Sequence, residues 1–550
     1  MANRFLSQIL SSNQGSITRC IKHKMLRGKN HVENYQIVRH LNCQGDSSEM
    51  TGLVLGVFTK DDDPYGTTKI FTKVAEEYDN QHNKSISIAL EAAGSLPRAG
   101  QTRVFYGLDP YYQAICVTGV GEECVGYNDV EQVDELKEAI RNAAALGART
   151  LQEIFMRTIY IDSFENAESA AEGAAMGIWV YQEYKQLDRQ MIIPRIELFN
   201  DCDFTGWQIG LQKAAAQNLA RQLTEMPANM LTPINFAQAA VESVCRAGIS
   251  AEVRVKEWCK IMHLDAFLAA ASGSCEPPIF LELSYYGCDP DVAPVVLIGK
   301  GVTYDSGGVC LKSCDVQRYM RGDMSGGATV LSTARAVSAL QLPINLRCII
   351  PLHENMPGTC AMKPGDVIKT RNGKTVLIHD TDFDGRLALA DALAYAVTYN
   401  PKFICDIGSF SKELVELLGE AATIVYCNND ILYEMMRIAS IHTGDRIWRL
   451  PLWNHFSEKV LRTQFSDVQD KLHNVDSGLP CTCAAFLKEF APPGDWIHLD
   501  TYAVLLTDGK AHEYLRPGFS GKPTRTIIEF LAQLACKHLA VGEEKMPEEK

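Results

Sequence analysis

No stretch of the chain offers the roughly 18 consecutive apolar residues that a membrane-spanning helix requires, so the mature protein is expected to be soluble, without membrane insertion. No basic stripe tracks along it either. The acid excess, a formal net charge of −14, is spread through the sequence, and nucleic acid is not an expected partner. Histidines are few, 13 in 550 residues, and neither a His pair at helical spacing nor a Cys-x-x-Cys pair marks a zinc site. A bound metal would therefore be held mainly by oxygen. The 18 cysteines lack repeated spacing, and Cys116, Cys348 and Cys405 lie in apolar stretches, so free thiols in a reducing compartment are expected rather than a disulfide framework.

What the chain does have is length and apolar mass. At 550 residues and 46% hydrophobic it exceeds what one core usually organises, and two or more domains follow. The first thirty residues stand apart: Arg4, Arg19, Lys22, Lys24, Arg27 and Lys29 are basic, and no acid precedes Glu33. With Phe5, Leu6, Ile9 and Leu10 at helical spacing, residues 1–30 read as a mitochondrial transit peptide, and the matrix as the destination; a frayed basic terminus on a cytoplasmic protein is the alternative. Removal would take the charge from −14 to about −20.

Residues 35–205 read as a smaller α/β domain, with β-branched runs at Leu53 to Phe58, Ala114 to Val120 and Thr158 to Ile161 among helical patterns at Val130 to Leu151 and Ala167 to Tyr184. A helical connector, 206–235, is stopped at Pro227. Residues 236–541 form a larger α/β domain. Its buried-strand runs Val295 to Ile298 and Leu346 to Ile350 flank a helix from about Gly326 to Leu340, the spacing of a parallel or mixed sheet. Residues 542–550 are polar and expected to be disordered.

Four segments concentrate chemistry: Gly299-Lys300-Gly301-Val302-Thr303-Tyr304-Asp305-Ser306-Gly307-Gly308, Asp323-Met324-Ser325-Gly326-Gly327, Lys363-Pro364-Gly365-Asp366, and Asp380-Thr381-Asp382-Phe383-Asp384-Gly385-Arg386. The first follows a strand, which puts Lys300 and Asp305 at the carboxyl end of the sheet, where open α/β folds place their sites. Its Gly-Lys-Gly fits no phosphate-binding pattern. Taken singly, Asp305 could shape a glycine turn, Asp323 could cap the next helix, and Asp382 and Asp384 could form Asx turns. Brought together they would repel unless cations neutralise them, and two divalent ions about 3.5 Å apart would do so while preparing a hydroxide. An oxygen-rich shell favours zinc or manganese. Lys312 and Arg386 add positive charge suited to polarising a carbonyl, although either could be a surface cation.

These segments resemble those of the leucyl aminopeptidases (cytosol aminopeptidases), whose Asn-Thr-Asp-Ala-Glu-Gly-Arg signature Asp380 to Arg386 matches with changes. The likeness runs through Pro227-Ala228-Asn229, Leu231-Thr232-Pro233, the block from Val296 to Ala394, and Gly518 to Thr526. The resemblance implies a metalloaminopeptidase acting on peptide substrates and assembled as a homohexamer. Asp305 would bridge both metals, Lys300 and Asp323 would complete one site, and Asp382 would serve the other. Asp384 would stand at the position of a bridging glutamate. Lys312 would hold the scissile carbonyl, and Arg386 a bicarbonate that relays protons.

The chain departs from that pattern at the chemistry. Asp384 is one methylene short, about 1.5 Å, where metal–oxygen distances tolerate about 0.2 Å. Asp380 replaces an asparagine and Phe383 an alanine. In the pocket for the first side chain Met320, Ser409 and Leu505 stay close to type, whereas Lys412 replaces a glycine and Tyr502 an alanine, which would fill an apolar slot. Lys412 reads either as a preference for an acidic first residue or as drift in an unused pocket, and drift also accounts for Asp384. The basic leader and altered site are similar to sperm-type leucyl aminopeptidase paralogues of insects, which implies an alternative, a structural role in mitochondria with little catalysis.

Overall fold

The computed structural model describes residues 50–60, 69–123, 125–245, 247–461, 463–470 and 478–543. The transit peptide expected at 1–30 and most of the polar tail expected at 542–550 lie outside them.

In the N-terminal part, β1 (Thr51–Thr59), β2 (Ile70–Phe71), β3 (Thr102–Tyr106) and β4 (Ala114–Glu122) precede a short hairpin of β5 (Tyr127–Asn128) and β6 (Val133–Asp134), then β7 (Thr158–Ile161) and β8 (Arg195–Leu198). One six-stranded sheet has the order β3-β4-β1-β7-β8, with β2 paired to β1. β1 runs parallel to both β4 and β7, and β8 parallel to β7. Alternation along β1 sends Leu53, Leu55 and Val57 to one face, against Ala75, Tyr78 and Ile86, and Val54 and Phe58 to the other, against Ile140, Ala144 and Ala170. Helices thus cover both faces, as a mostly parallel sheet requires.

Two helix boundaries differ from the sequence reading. The first helix begins at Glu135, not Val130, because Asp134 caps it by accepting from the Lys137 amide, and Val130 is 90% exposed in the hairpin loop. The second spans Ala167–Gly177 and stops short of Tyr184; the Ile178 carbonyl accepts from the Gln152 side chain, 3.0 Å away, instead of continuing the helical ladder.

The larger part contains β9 (Ser250–Arg254), β10 (Ile279–Tyr286), β11 (Val295–Gly299), β12 (Gly301–Asp305), β13 (Asn345–Asn355), β14 (Val367–Lys369), β15 (Thr375–Leu377), β16 (Phe403–Gly408), β17 (Thr423–Cys427), β18 (Ile447–Arg449), β19 (Val468–Gln469) and β20 (Trp496–Asp500). Its nine-stranded sheet runs β18-β17-β20-β16-β11-β13-β10-β9, with β12 added on β13. β11 is parallel to β13 and β16, whereas β10 is antiparallel to β13, so the sheet is mixed. Its buried strands read as near-continuous apolar runs because both faces are covered. The Ser325–Ala339 helix starts hard against the sheet: a Cβ on Gly326 would lie 2.1 Å from the Ile407 carbonyl oxygen.

The two halves are joined by more than a connector. The Phe204–Glu225 helix packs on both the Ala167–Gly177 and Ser325–Ala339 helices. Buried charges then cross between them. Lys213 Nζ reaches Glu168 at 2.5 Å and Glu529 at 2.6 Å. Arg525, fully buried, binds Glu172 Oε2 at 2.6 Å, Gln217 Oε1 at 2.6 Å and Asp445 Oδ1 at 3.1 Å. No disulfide occurs among the described residues; Cys116, Cys348, Cys405 and the other described cysteines are free thiols.

Candidate metal centre

β11 ends at Gly299 and β12 resumes at Gly301, leaving Lys300 at the break. The segment read as a glycine turn is therefore largely a strand. β13 runs on past β11 to Asn355 and offers β12 a parallel ladder, Val302 opposite His353 and Asp305 opposite Asn355. Asp305 ends β12 at the carboxyl edge of the sheet.

Lys300 Nζ lies 2.7 Å from Asp323 Oδ1 and 2.8 Å from the Ser409 carbonyl oxygen, with the Phe410 ring 5.0 Å away. Gly385 makes room for this side chain: a Cβ there would lie 2.1 Å from Lys300 Cε. Burial opposes the ammonium, but Asp323, Asp384 and Asp305 outweigh it and hold its pKa above the usual lysine value. Asp323 sits in the short turn Met320–Met324 and does not cap the helix that follows; Met324 holds that position. Its Oδ1 also accepts from Ser409 Oγ at 2.7 Å.

Asp305 Oδ1 accepts from the Gly307 amide at 2.8 Å and from Asn355 Nδ2 at 2.9 Å, and Oδ2 from Lys312 Nζ at 2.5 Å. Burial first, then neighbouring Asp384, push its pKa up to about 6. The Lys312 ammonium also bonds Asp382 Oδ1, so one cation is shared by two carboxylates. Asp382 is held in its turn by Asp380, whose Oδ1 accepts from the Asp382 amide.

Asp384 opens the Asp384–Ala396 helix, and its Oδ2 lies 2.7 Å from His353 Nε2, both side chains fully buried. Burial raises the pKa of this carboxyl, but the bond and charge of His353, with Lys300 and Lys312, bring it below the usual range. Arg386 is 2% exposed; one nitrogen donates to the Asp470 carbonyl, and its guanidinium stacks on the Phe383 ring at 3.7 Å.

All seven catalytic and metal-binding candidates thus gather at one edge of the larger sheet. The pocket residues divide. Met320, Ser409 and Leu505 are buried. Tyr502 is part-buried, its hydroxyl pKa raised by burial first and then by the charge of Asp323. Lys412 is exposed at the start of the Glu413–Leu418 helix. Sequence reasoning missed His353, Asn355, Phe410 and Asp470. A signal existed for the first two: they stand two apart on an apolar strand, hence on one face, at its carboxyl end.

No group of three or more His, Cys, Asp or Glu side chains converges on one cation position among the described residues. The donor chemistry nevertheless suits one: Asp323 Oδ2 and Asp384 Oδ1 are buried carboxylate oxygens without a hydrogen-bond partner, which a divalent ion would satisfy.

Family models and known proteins match both parts of the chain. Residues 218–528 match the catalytic domain of the cytosol aminopeptidase family, and residues 54–187 its N-terminal domain. The chain is 41% identical to the cytosol aminopeptidase of Sus scrofa over 89% of its length and 94% of that protein's. It is 31% identical to that of Dictyostelium discoideum, over 93% and 98%. Among solved structures, the bottromycin maturation enzyme BotP in complex with Mn superposes with a TM-score of 0.75 at 28% identity, over 89% of this chain and all of that one. A mutant of tomato leucine aminopeptidase shares the fold, with a TM-score of 0.73. In sequence, domain order and fold the chain belongs to the cytosol aminopeptidase family, whose members are metalloaminopeptidases.

Proposed function

We propose that this chain is a mitochondrial metalloaminopeptidase that removes N-terminal residues from peptides, assembles as a homohexamer, and turns over leucyl substrates weakly. Lys300, Asp305, Asp323, Asp382 and Asp384 would hold divalent zinc or manganese ions, which when bound supply an acidified water. Lys312, bonded here to Asp305 and Asp382, would hold the peptide carbonyl with its ammonium once it leaves those carboxylates. Arg386 suits an anion such as bicarbonate by charge, with Nε and Nη2 free of hydrogen-bond partners, although Phe383 covers one face of it.

The observation that carries the weakened reading is Lys312 spanning Asp305 and Asp382. Lys312 already answers Asp305 and Asp382, whereas Asp323 Oδ2 and Asp384 Oδ1 have no partner, so a metal ion that takes Asp305 or Asp382 must displace an ammonium. Tyr502, at a position where the family has an alanine, would narrow the space for a large first side chain. The same observation favours a second reading, a catalytically reduced paralogue with a structural role in mitochondria.

Peptidase assays with manganese and zinc test the proposal. The chain should hydrolyse leucyl peptides with kcat/KM below the roughly 10⁴ M⁻¹s⁻¹ at which ordinary enzymes begin, and Tyr502→Ala with Lys412→Gly should raise this at least about tenfold. Brisk leucyl hydrolysis by the unaltered chain would overturn weakness. No hydrolysis by either protein would favour the structural reading.

A further inference from the structure

β13 presents two side chains on the same face, and each takes hold of one carboxylate of the centre. Asn355 Nδ2 donates to Asp305 Oδ1, and His353 Nε2 meets Asp384 Oδ2. The Asn355 bond leaves Asp305 a second oxygen directed to Lys312. The His353 bond has a different consequence. A carboxylate that bridges two metal ions about 3.5–4 Å apart gives one oxygen to each. The imidazole turns Oδ2 toward β13, which leaves Oδ1 as the oxygen of Asp384 without a partner, and Oδ1 and Asp323 Oδ2 are the buried carboxylate oxygens of the centre that have none.

His353 is not free to release its partner. Its backbone pairs with Val302 of β12, its carbonyl accepts from Thr303 Oγ1 at 3.2 Å, and the Phe267 ring packs edge-on at 5.6 Å. The imidazole is fully buried, so turning it away would strand both a ring nitrogen and a carboxylate oxygen in a dry interior.

We propose that His353 is a positioning residue that withholds Asp384 from bridging, so that this centre takes one divalent cation, on the side of Asp323, Asp384 and Lys300, while Lys312 answers the charge of Asp305 and Asp382. The inference rests on the reading of this site as a metallopeptidase centre.

Calorimetric titration of the metal-free full-length protein with Mn²⁺, with elemental analysis of bound manganese, tests it without reference to turnover. The unaltered chain should bind one Mn²⁺ per subunit. His353→Leu and His353→Asn, two removals in case one does not fold, should bind a second ion, or bind it at least about tenfold more tightly, the lower end for residues that orient ligands. His353→Gln, whose amide still reaches Asp384, should stay at one. Two ions of similar affinity in the unaltered chain would overturn the proposal, as would a folded His353→Leu that stays at one. If neither removal folds, the stoichiometry of the unaltered chain decides. Failure here is separable from failure of the functional reading: brisk leucyl hydrolysis by a one-ion chain would sink weak turnover and leave His353's role standing, and two ions with little hydrolysis would do the reverse.

Discussion

Arg525 is the perturbation from which the joining of the two halves can be measured. It is fully buried and its three bonds go to Gln217 in the long central helix, to Glu172 in the N-terminal part and to Asp445 in the larger part. Replacing it with leucine keeps much of the volume and removes the charge. Glu172 would keep Arg141 at 2.7 Å and Lys213 at 3.9 Å, so its loss is partial. Asp445 would keep only Lys522, 3.8 Å away, too far for a hydrogen bond. Breaking a buried ion pair from one side costs about 3–5 kcal/mol, and with Glu172 still held the lower half of that range applies, about 3–4 kcal/mol. Against a total of about 5–15 kcal/mol this is a large share. Urea unfolding of the full chain, followed by circular dichroism, should show the midpoint fall accordingly, and Arg525→Leu with Asp445→Asn should recover part of the loss through positive coupling. A single-variant loss under about 1 kcal/mol, or strict additivity in the double variant, would refute the reasoning.

Burial first, then the Lys137 ammonium, hold the pKa of His442 down at about 4, against about 6.5 in an unfolded chain. The unfolded state therefore takes up a proton that the folded state refuses, and stability falls as pH drops from about 6.5 towards 4; His442→Gln should flatten that fall by on the order of 2 kcal/mol in urea titrations across this range. Deletion of residues 1–30 should leave a tagged protein in the cytosol, and mitochondrial import of the truncated form would disprove the transit-peptide reading. Light scattering at micromolar concentration should give six subunits, and a stable monomer would contradict the assembly proposed.

The elements that carry the centre were legible because their signals are local. β11, β13 and the Ser325–Ala339 helix follow from apolar runs and a glycine-rich start, and the aspartates from their crowding in short motifs. What escaped depends on register. Whether Gly301 to Asp305 is a turn or a strand is decided by β13 continuing to Asn355, and nothing within Gly301 to Asp305 reports that. His353 lies 31 residues from Asp384, and it is the packing of the Asp384–Ala396 helix on β13 that brings the two together. The pocket shows the same limit: Lys412 and Tyr502 read alike as long residues in small positions, yet one is exposed and the other part-buried, because Lys412 begins a surface helix.

The pairing of His353 with Asp384 also bears on the history the chain can have. Either residue altered alone leaves a polar group stranded in the interior, so the pair resists change one step at a time. Lengthening Asp384 to a glutamate while His353 remains would drive an extra methylene toward an imidazole already 2.7 Å from the carboxylate. A change of this acid to glutamate therefore has an order: the histidine must go first, through an intermediate that leaves a polar group stranded. The strand face that steadies the centre thus also sets which substitutions there can be made singly and which only together.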